Sequence, residues 1–453
     1  MAKFEKNLVE GSVAKQLIRF SIPILISNLI QTLYGVVDMI VVGKYAGSVS
    51  MSGVNIGGQV TFIITNMIIG LTVGATVLIG QYLGANDRKS LKETIGTLFT
   101  SLIYLALAIT VIMLILKGPL LRLIKTPLES FAETNSYFTV TMIGTISIFA
   151  YNALSAVMRG MGDSKNPLIF VAIACVINIV LDLLMVAAWG WGAFGAAVAT
   201  VISQTVSAVL CIIYLQKNKF IFDFKLSSYK CSSKRLMMIL KIGVPTSIQN
   251  VAVGSSFLFL TAMVNTLGVE ASAAVGAVGK LNGFAILPAA AMNIAISSMC
   301  AQNIGAGRWD RAKKTCGVGI IMAMSISIVI FAFVSLFPEL CMRLFIDELP
   351  VIENGVTYIK SFRFDYLIVP VTFCMNGFFI GAGHTTFSFI NGILSSLLFR
   401  IPACYIFGIV MEMGLEGIGL GAPIASLAAM CLCIIFFISG AWKKQVIVYE
   451  KTE

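Results

Sequence analysis

Apolar residues run along this chain in blocks of roughly 18 to 25, the length an α-helix needs to cross about 30 Å of hydrocarbon. Twelve blocks stand out, near 17–42, 54–80, 95–116, 134–157, 167–189, 194–216, 237–265, 280–301, 316–338, 362–382, 386–410 and 416–441. Polar stretches separate them. Inside the blocks the apolar residues do not alternate over about ten residues, as membrane β-barrel strands do. The pattern predicts an all-α polytopic membrane protein with twelve transmembrane helices. The first block has no small-residue cleavage site behind a short core, so it is read as a span and not as a signal peptide.

Composition agrees with the pattern. The chain is 58% hydrophobic and 12% charged, against roughly 25% charged in soluble domains. So little charge cannot coat a water-facing surface of 453 residues. The formal charge of +11 is explained by its placement. Loops on the amino-terminal side, with both tails, hold 23 of the 32 Lys and Arg, as in "NDRKSLKE" (86–93), "KCSSKRLMMILK" (230–241) and "RWDRAKK" (308–314). This bias puts both termini in the cytoplasm of a plasma-membrane protein. The basic loops read as topology signals and headgroup contacts, not as a nucleic-acid surface. Ten cysteines, mostly inside blocks and without a CxxC, read as reduced apolar filler.

The chain is also written twice. "GQYLGANDRKSLKETIG" (80–96) aligns with "AQNIGAGRWDRAKKTCG" (301–317) at an offset of 221, and one residue more, an offset of 222, pairs "RFSIP" (19–23) with "KIGVP" (241–245). Six spans per copy is an even number, so both copies enter the membrane in the same orientation. The organisation expected is an amino-terminal six-helix lobe (1–216), a basic cytoplasmic linker (217–236) and a carboxy-terminal six-helix lobe (237–453). Two similar bundles around a central cleft suit a transporter that exposes the cleft alternately to each side.

Three charged residues lie well inside blocks: Asp38, Asp182 and Arg400. Even on the lenient insertion scale a charge at the bilayer centre costs about 2.5–3.5 kcal/mol, so such residues face a cavity or a partner. Gln31, Tyr34 and Asp38 share one helical face, and so do Asn178 and Asp182, and Thr200 and Gln204. Carboxylates, an amide oxygen and a hydroxyl form a hard oxygen set. It suits Na⁺ and equally suits a hydrogen-bonded protonated acid. Asn178 as an interhelical clamp and Thr200 as a back-bonded hydroxyl are the structural alternatives. Pro23 reads as a structural kink matched by Pro245, and His384 as a solvated residue in a cytoplasmic turn.

The motifs "YGVVDMIVVGKYAG" (34–47), "RGMGDSKNP" (159–167), "NIVLD" (178–182) and "AFGAAVATVISQ" (193–204), in that order, resemble the MATE (multidrug and toxic compound extrusion) family, along essentially the whole chain. The resemblance implies cation-coupled efflux of organic, often cationic or aromatic compounds, with H⁺ or Na⁺ as coupling ion and no other cofactor. By similarity to the DinF-like branch, Asp38, Asn178, Asp182 and Thr200 form the coupling site. Gln31, Tyr34, Asn152 and Gln204 form the substrate cavity. One branch places a glutamate in the seventh span, where this chain has none; Asp365 is expected near the outer end of the tenth. Coupling is therefore expected in the amino-terminal lobe alone. No GxxxxGK[ST] loop points to a nucleotide, and no enzyme activity is expected. A monomer is expected. The rival readings are a flippase for lipid-linked or other amphipathic substrates, which would favour a basic cavity, and a non-transporting receptor, which would carry a signalling domain.

Overall fold

A computed structural model of the chain describes residues 5–218 and 220–447. Among them the regular structure is helical, with no strand. Ten helices are long and apolar enough to cross a membrane, and two bent pairs pass the same test as single spans. In chain order they are α1 (Val13–Tyr45), α2 (Gly47–Gly84), α3 (Arg88–Leu123), α4 (Phe131–Ile143 with Thr145–Gly160), α5 (Lys165–Ala188) and α6 (Gly192–Lys217). The second six are α7 (Ser233–Asn265), α8 (Val269–Gly305), α9 (Trp309–Leu336), α10 (Leu349–Phe362 with Asp365–Gly381), α11 (Thr385–Val410) and α12 (Gly414–Ser439). Apolar blocks become helices because hydrocarbon offers no partner to a backbone N–H or C=O, and a helix satisfies both internally.

Acidic side chains start several of these helices. Asp87 accepts a hydrogen bond from the Ser90 amide at 3.0 Å and caps α3. Asp163, in the "RGMGD" motif, accepts from the Lys165 and Asn166 amides at 3.1 and 3.3 Å, so its work is to begin α5. Glu133 on α4 accepts from the Ala193 amide at 2.8 Å and ties α4 to the first turn of α6.

α4 bends by 49° and α10 by 51°. The second bend corrects a sequence expectation. Apolar-block reading starts the tenth span at 362 and so leaves Asp365 near an outer end. The helix in fact starts at Leu349, and Asp365 lies midway along the bent span, 7% exposed. The overlooked segment Leu349–Phe362 is amphipathic, burying Val351, Ile352, Tyr358, Ile359 and Phe362 while carrying Glu353 and Lys360. A search for unbroken apolar runs passes over such a pattern.

By compactness the chain divides into two units. Of the described residues, one unit holds 5–7 and Ile22–Val244, and the other holds Leu8–Ser21 and 245–447. The dividing points thus fall beside Pro23 in α1 and at Pro245 in α7. Within the first unit, the opening turns of α7 are held by Arg235, which is 1% exposed. It donates to the Tyr82 hydroxyl at 2.9 Å, to Ser90 Oγ at 2.6 Å and to Glu93 at 3.1 Å. This residue of the basic 230–241 stretch is therefore a buried bonding centre and not a headgroup contact. Gly74 and Gly243 allow the same approach: a Cβ at Gly74 would lie 2.6 Å from the Ile239 carbonyl oxygen. Within the second unit, the start of the chain is pinned by Gln302, Asn303, Arg308 and Arg311, which bond the backbone of Leu8, Leu8, Val9 and Gly11 respectively.

His384 is also not solvated as expected. Its Nε2 lies 3.0 Å from the Trp442 carbonyl and 3.1 Å from that of Lys444, beside an aromatic cluster of Phe378, Phe436 and Trp442.

Arg235→Ala leaves Tyr82 and Ser90 with one partner fewer and a void behind them. The expected cost is about 2–4 kcal/mol, read as a lowered melting temperature of the purified protein. A melting temperature equal to that of the native chain would refute the bonding role. Burial pushes the His384 imidazole below its ordinary value. The folded chain thus favours the neutral ring, and the stability this supplies above about pH 6.5 is lost as pH falls from there through the lowered value. Between about pH 7.5 and about pH 5.5 the native chain should lose more melting temperature than His384→Gln. Equal losses would contradict the assignment.

Candidate functional site

Two carboxyl groups meet inside the first unit. Along α1 the face predicted from spacing sinks progressively: Gln31 is exposed, Tyr34 half-buried and Asp38 8% exposed. On α5, Asn178 and Asp182 are 1% and 0% exposed, and both lie in the regular α-helical part of the span, so their common face is preserved. Immediately after Asp182 the helix widens to a π-helix, Leu183–Ala188, closed by the Trp189 amide on the Leu184 carbonyl at 2.9 Å. Such single wide turns recur at functional sites. The carboxyls of Asp38 and Asp182 are within hydrogen-bonding reach of each other.

The polar atoms here are notable for what they do not bond. Asp38 Oδ1, both Asp182 oxygens and both side-chain polar atoms of Asn178 are buried without a hydrogen-bond partner. Elsewhere in the unit Thr94, Thr134 and Thr141 spend their buried hydroxyls on their own helices, and the unpartnered hydroxyls of Thr100 and Ser155 are single uncharged atoms. A buried polar group left unpaired costs about 1–3 kcal/mol. Concentrating several in one place is a sustained cost to the fold, and the charged neighbour of each acid is the other acid. Two ionised carboxylates in a low-dielectric site repel, and a shared proton or a small cation removes the repulsion.

Tyr137 on α4 is the residue that sequence reasoning missed. Its phenol, like that of Tyr34, is within electrostatic range of both acids. It gets there because α2 presents Gly57, where a Cβ would come within 2.7 Å of the Tyr137 ring. Val41, Val42, Val54, Val186, Ala193, Ala196 and Ala197 pack with Tyr137 as an apolar layer. The signal available was the Gly53 and Gly57 pair, small residues one turn apart that let another helix approach.

The remaining expected residues are placed less closely. Thr200 and Gln204 are half-buried one turn apart on α6, and Gln204 Oε1 has no partner. Asn152 is half-buried on α4, but its amide nitrogen donates to the Ile148 carbonyl at 2.8 Å, so part of its capacity serves its own helix. Gln31 stands exposed two turns from Asp38. The geometry therefore joins Asp38, Asp182, Tyr34 and Tyr137, with Asn178 one turn from Asp182. The available donors are oxygens of hard character. Among the described residues no group of three or more His, Cys, Asp or Glu is assembled. The set fits a proton or an alkali cation better than a transition metal.

If Asn178 is held at a cost, its isosteric apolar replacement should relieve that cost. Asn178→Leu is expected to raise stability by about 1 kcal/mol or leave it unchanged in thermal melting. A drop of several degrees would show that the amide is bonded structurally.

Comparison with known proteins places this architecture. The MatE family model matches residues 23–184 and again 245–406, so the two matches begin at Pro23 and Pro245. The chain is 30% identical over 447 residues to a probable multidrug resistance protein of Bacillus subtilis, YpnP, covering 98% of this chain and 99% of that one. It is 27% identical over 445 residues to the probable multidrug resistance protein NorM of Thermotoga maritima, covering 96% and 94%. A solved structure of a multidrug resistance MATE family transporter of the MOP superfamily, in an outward-facing conformation, superposes with a TM-score of 0.92 at 24% identity, covering 98% and 100%. At that identity the likeness carries the fold alone.

Proposed function

We propose that this chain, which belongs to the MATE family of membrane transporters, exports organic compounds in exchange for a small cation held at Asp38 and Asp182. The observation that carries this reading is the meeting of two buried carboxyls, with Asp38 Oδ1 and both Asp182 oxygens lacking a hydrogen-bond partner. A site of that kind has one economical use: it binds a positive charge, and binds it differently in different conformations.

The proposed cycle follows from charge balance. With the acids discharged, the first unit presents negative charge that attracts a cationic or polarisable aromatic substrate. Uptake of H⁺ or Na⁺ from the outer side neutralises the acids and weakens that hold, so substrate leaves outward. The loaded site then returns, and the ion is released inward. Coupling requires only that the ion's affinity differ between the two states. Asn178 and Thr200 supply neutral oxygens to an alkali cation or hydrogen-bond a protonated carboxyl. Tyr34 and Tyr137 can bond either carboxyl through their hydroxyls, and Gln31, Gln204 and the free face of Asn152 line the substrate's path. The basic loops on the amino-terminal side support cytoplasmic termini and a plasma-membrane location in a bacterium. The chain itself supplies the oxygens, and no nucleotide or further cofactor takes part.

The test is counterflow of a fluorescent organic cation in proteoliposomes, with Na⁺ and pH gradients imposed separately. Asp38→Asn and Asp182→Asn should each reduce coupled transport at least about tenfold, equivalent to about 1.4 kcal/mol or more in the driving step, while melting temperature holds. Native rates in either variant would remove the site from the mechanism. The gradient that drives the native chain identifies the ion.

A further inference from the structure

The second unit contains a buried polar centre that the proposed cycle does not use. Asp365 opens the second half of α10 just past the bend. Its carboxyl lies within hydrogen-bonding reach of Ser426 on α12 and in electrostatic range of Arg400 on α11. Arg400 donates from Nη1 to Ser256 Oγ on α7 at 2.9 Å, and its guanidinium sits 4.6 Å above the Phe257 ring. Ser256 is fully buried and donates its own hydrogen bond to the Val253 carbonyl at 2.7 Å. Asp365 Oδ1, Arg400 Nε and the Tyr366 hydroxyl are buried without partners.

The internal repeat makes the comparison with the first unit informative. The family segments begin at 23 and 245; in that register Asp38 corresponds to Leu260, Asp182 to Cys404 and Asn178 to Arg400. Leu260 and Cys404 pack in an apolar cluster with Tyr358 and Tyr366. Where the first unit has two acids and an amide, the second therefore has two apolar residues and a guanidinium, and draws one acid from a different helix. A π-helical segment, Leu394–Arg400, ends at the arginine itself. It has no counterpart in α5, whose single π segment matches Ile406–Val410 on α11. The backbone of α11 is thus adjusted locally at Arg400.

Charge balance then differs between the two centres. Among the described residues no fixed cation is in electrostatic range of Asp38 or Asp182, which on the function proposed above take a mobile one. Asp365 has a fixed one, Arg400, in electrostatic range. We infer that Arg400 is a tethered counterion that occupies the electrostatic role of an ion at Asp365, so that the chain takes up its coupling cation in one unit only. Removing the arginine's charge turns Asp365 into a second site for H⁺ or Na⁺. The statement about coupling number rests on the function proposed above; the latent site does not.

The experiment uses the full chain, purified, with equilibrium ²²Na⁺ binding and potentiometric proton uptake as readouts. In a D38N/D182N background the chain should bind no specific cation. Adding R400Q should create uptake of about one proton or one Na⁺ per chain, and adding D365N to that variant should abolish it. R400K, which keeps the charge, should bind none. The titratable groups facing Asp365 are Arg400, Tyr358, Tyr366 and Cys404, with Cys341 beyond Tyr366. Phenols and thiols ordinarily titrate near 10 and 8.5, and His384 contributes equally in every variant, so proton uptake between about pH 5 and 7.5 in excess of the D38N/D182N background belongs to the carboxyl. A folded D38N/D182N/R400Q chain that binds nothing overturns the inference. So does D365N alone, if it changes the number of ions exchanged per substrate in the otherwise native chain, an arm that does not depend on how R400Q folds. Failure of the first-unit site looks different: D38N/D182N would retain native cation binding.

Discussion

Two carboxyl groups within hydrogen-bonding reach of each other, in a place that water barely enters, are the constraint around which the first unit is built. A lone carboxyl at the bilayer centre already costs a few kcal/mol, and a second one beside it adds repulsion. A fold selected for stability alone would replace one of them with a methyl group or provide an arginine. The second unit does both, with Leu260 and Cys404 at the matching positions and Arg400 in electrostatic range of Asp365, the one buried acid among its described residues. The first unit does neither, and leaves the amide of Asn178 unpaired as well. On the function proposed here, the unpaired atoms are a store of binding free energy for the ion that neutralises the acids.

Holding such a pair requires rigid surroundings, and the helices supply them by close approach. Gly57 lets the ring of Tyr137 reach α2, Glu133 binds the first turn of α6, and an apolar layer of Val and Ala closes around Tyr137. Apart from Tyr137, none of these residues carries the chemistry. They set where the carboxyls can be. The π-helical turn after Asp182 fits the same picture, since it lets the final turns of α5 rotate without disturbing the α-helical register that aligns Asn178 with Asp182.

Much of this was legible beforehand for a simple reason. The membrane imposes helices of a known length, so apolar blocks can be counted, and helical periodicity puts Asn178 with Asp182 and Tyr34 with Asp38 without further information. The same method misjudged Leu349–Phe362, because an amphipathic helix buried against its neighbours has too many polar positions to read as a block. It also misjudged Arg235 and His384. A cation in a basic loop and a histidine in a turn both look solvated until the segments that cover them, the first turns of α7 on α2 and α3 and the chain near Trp442, are in place.

By itself, the sequence determined the helices, their number and repeat, the bias of charge between the two sides, and which side chains share a face, because each depends on residues a few positions apart. Only the tertiary structure decided that Asp38 and Asp182, on helices far apart in the chain, approach one another, that Tyr137 joins them, and that Asp365 lies at a bend opposite Arg400. Those are relations between helices, governed by where small residues permit close packing and by which buried polar atoms find partners, and helical periodicity contains no information about either.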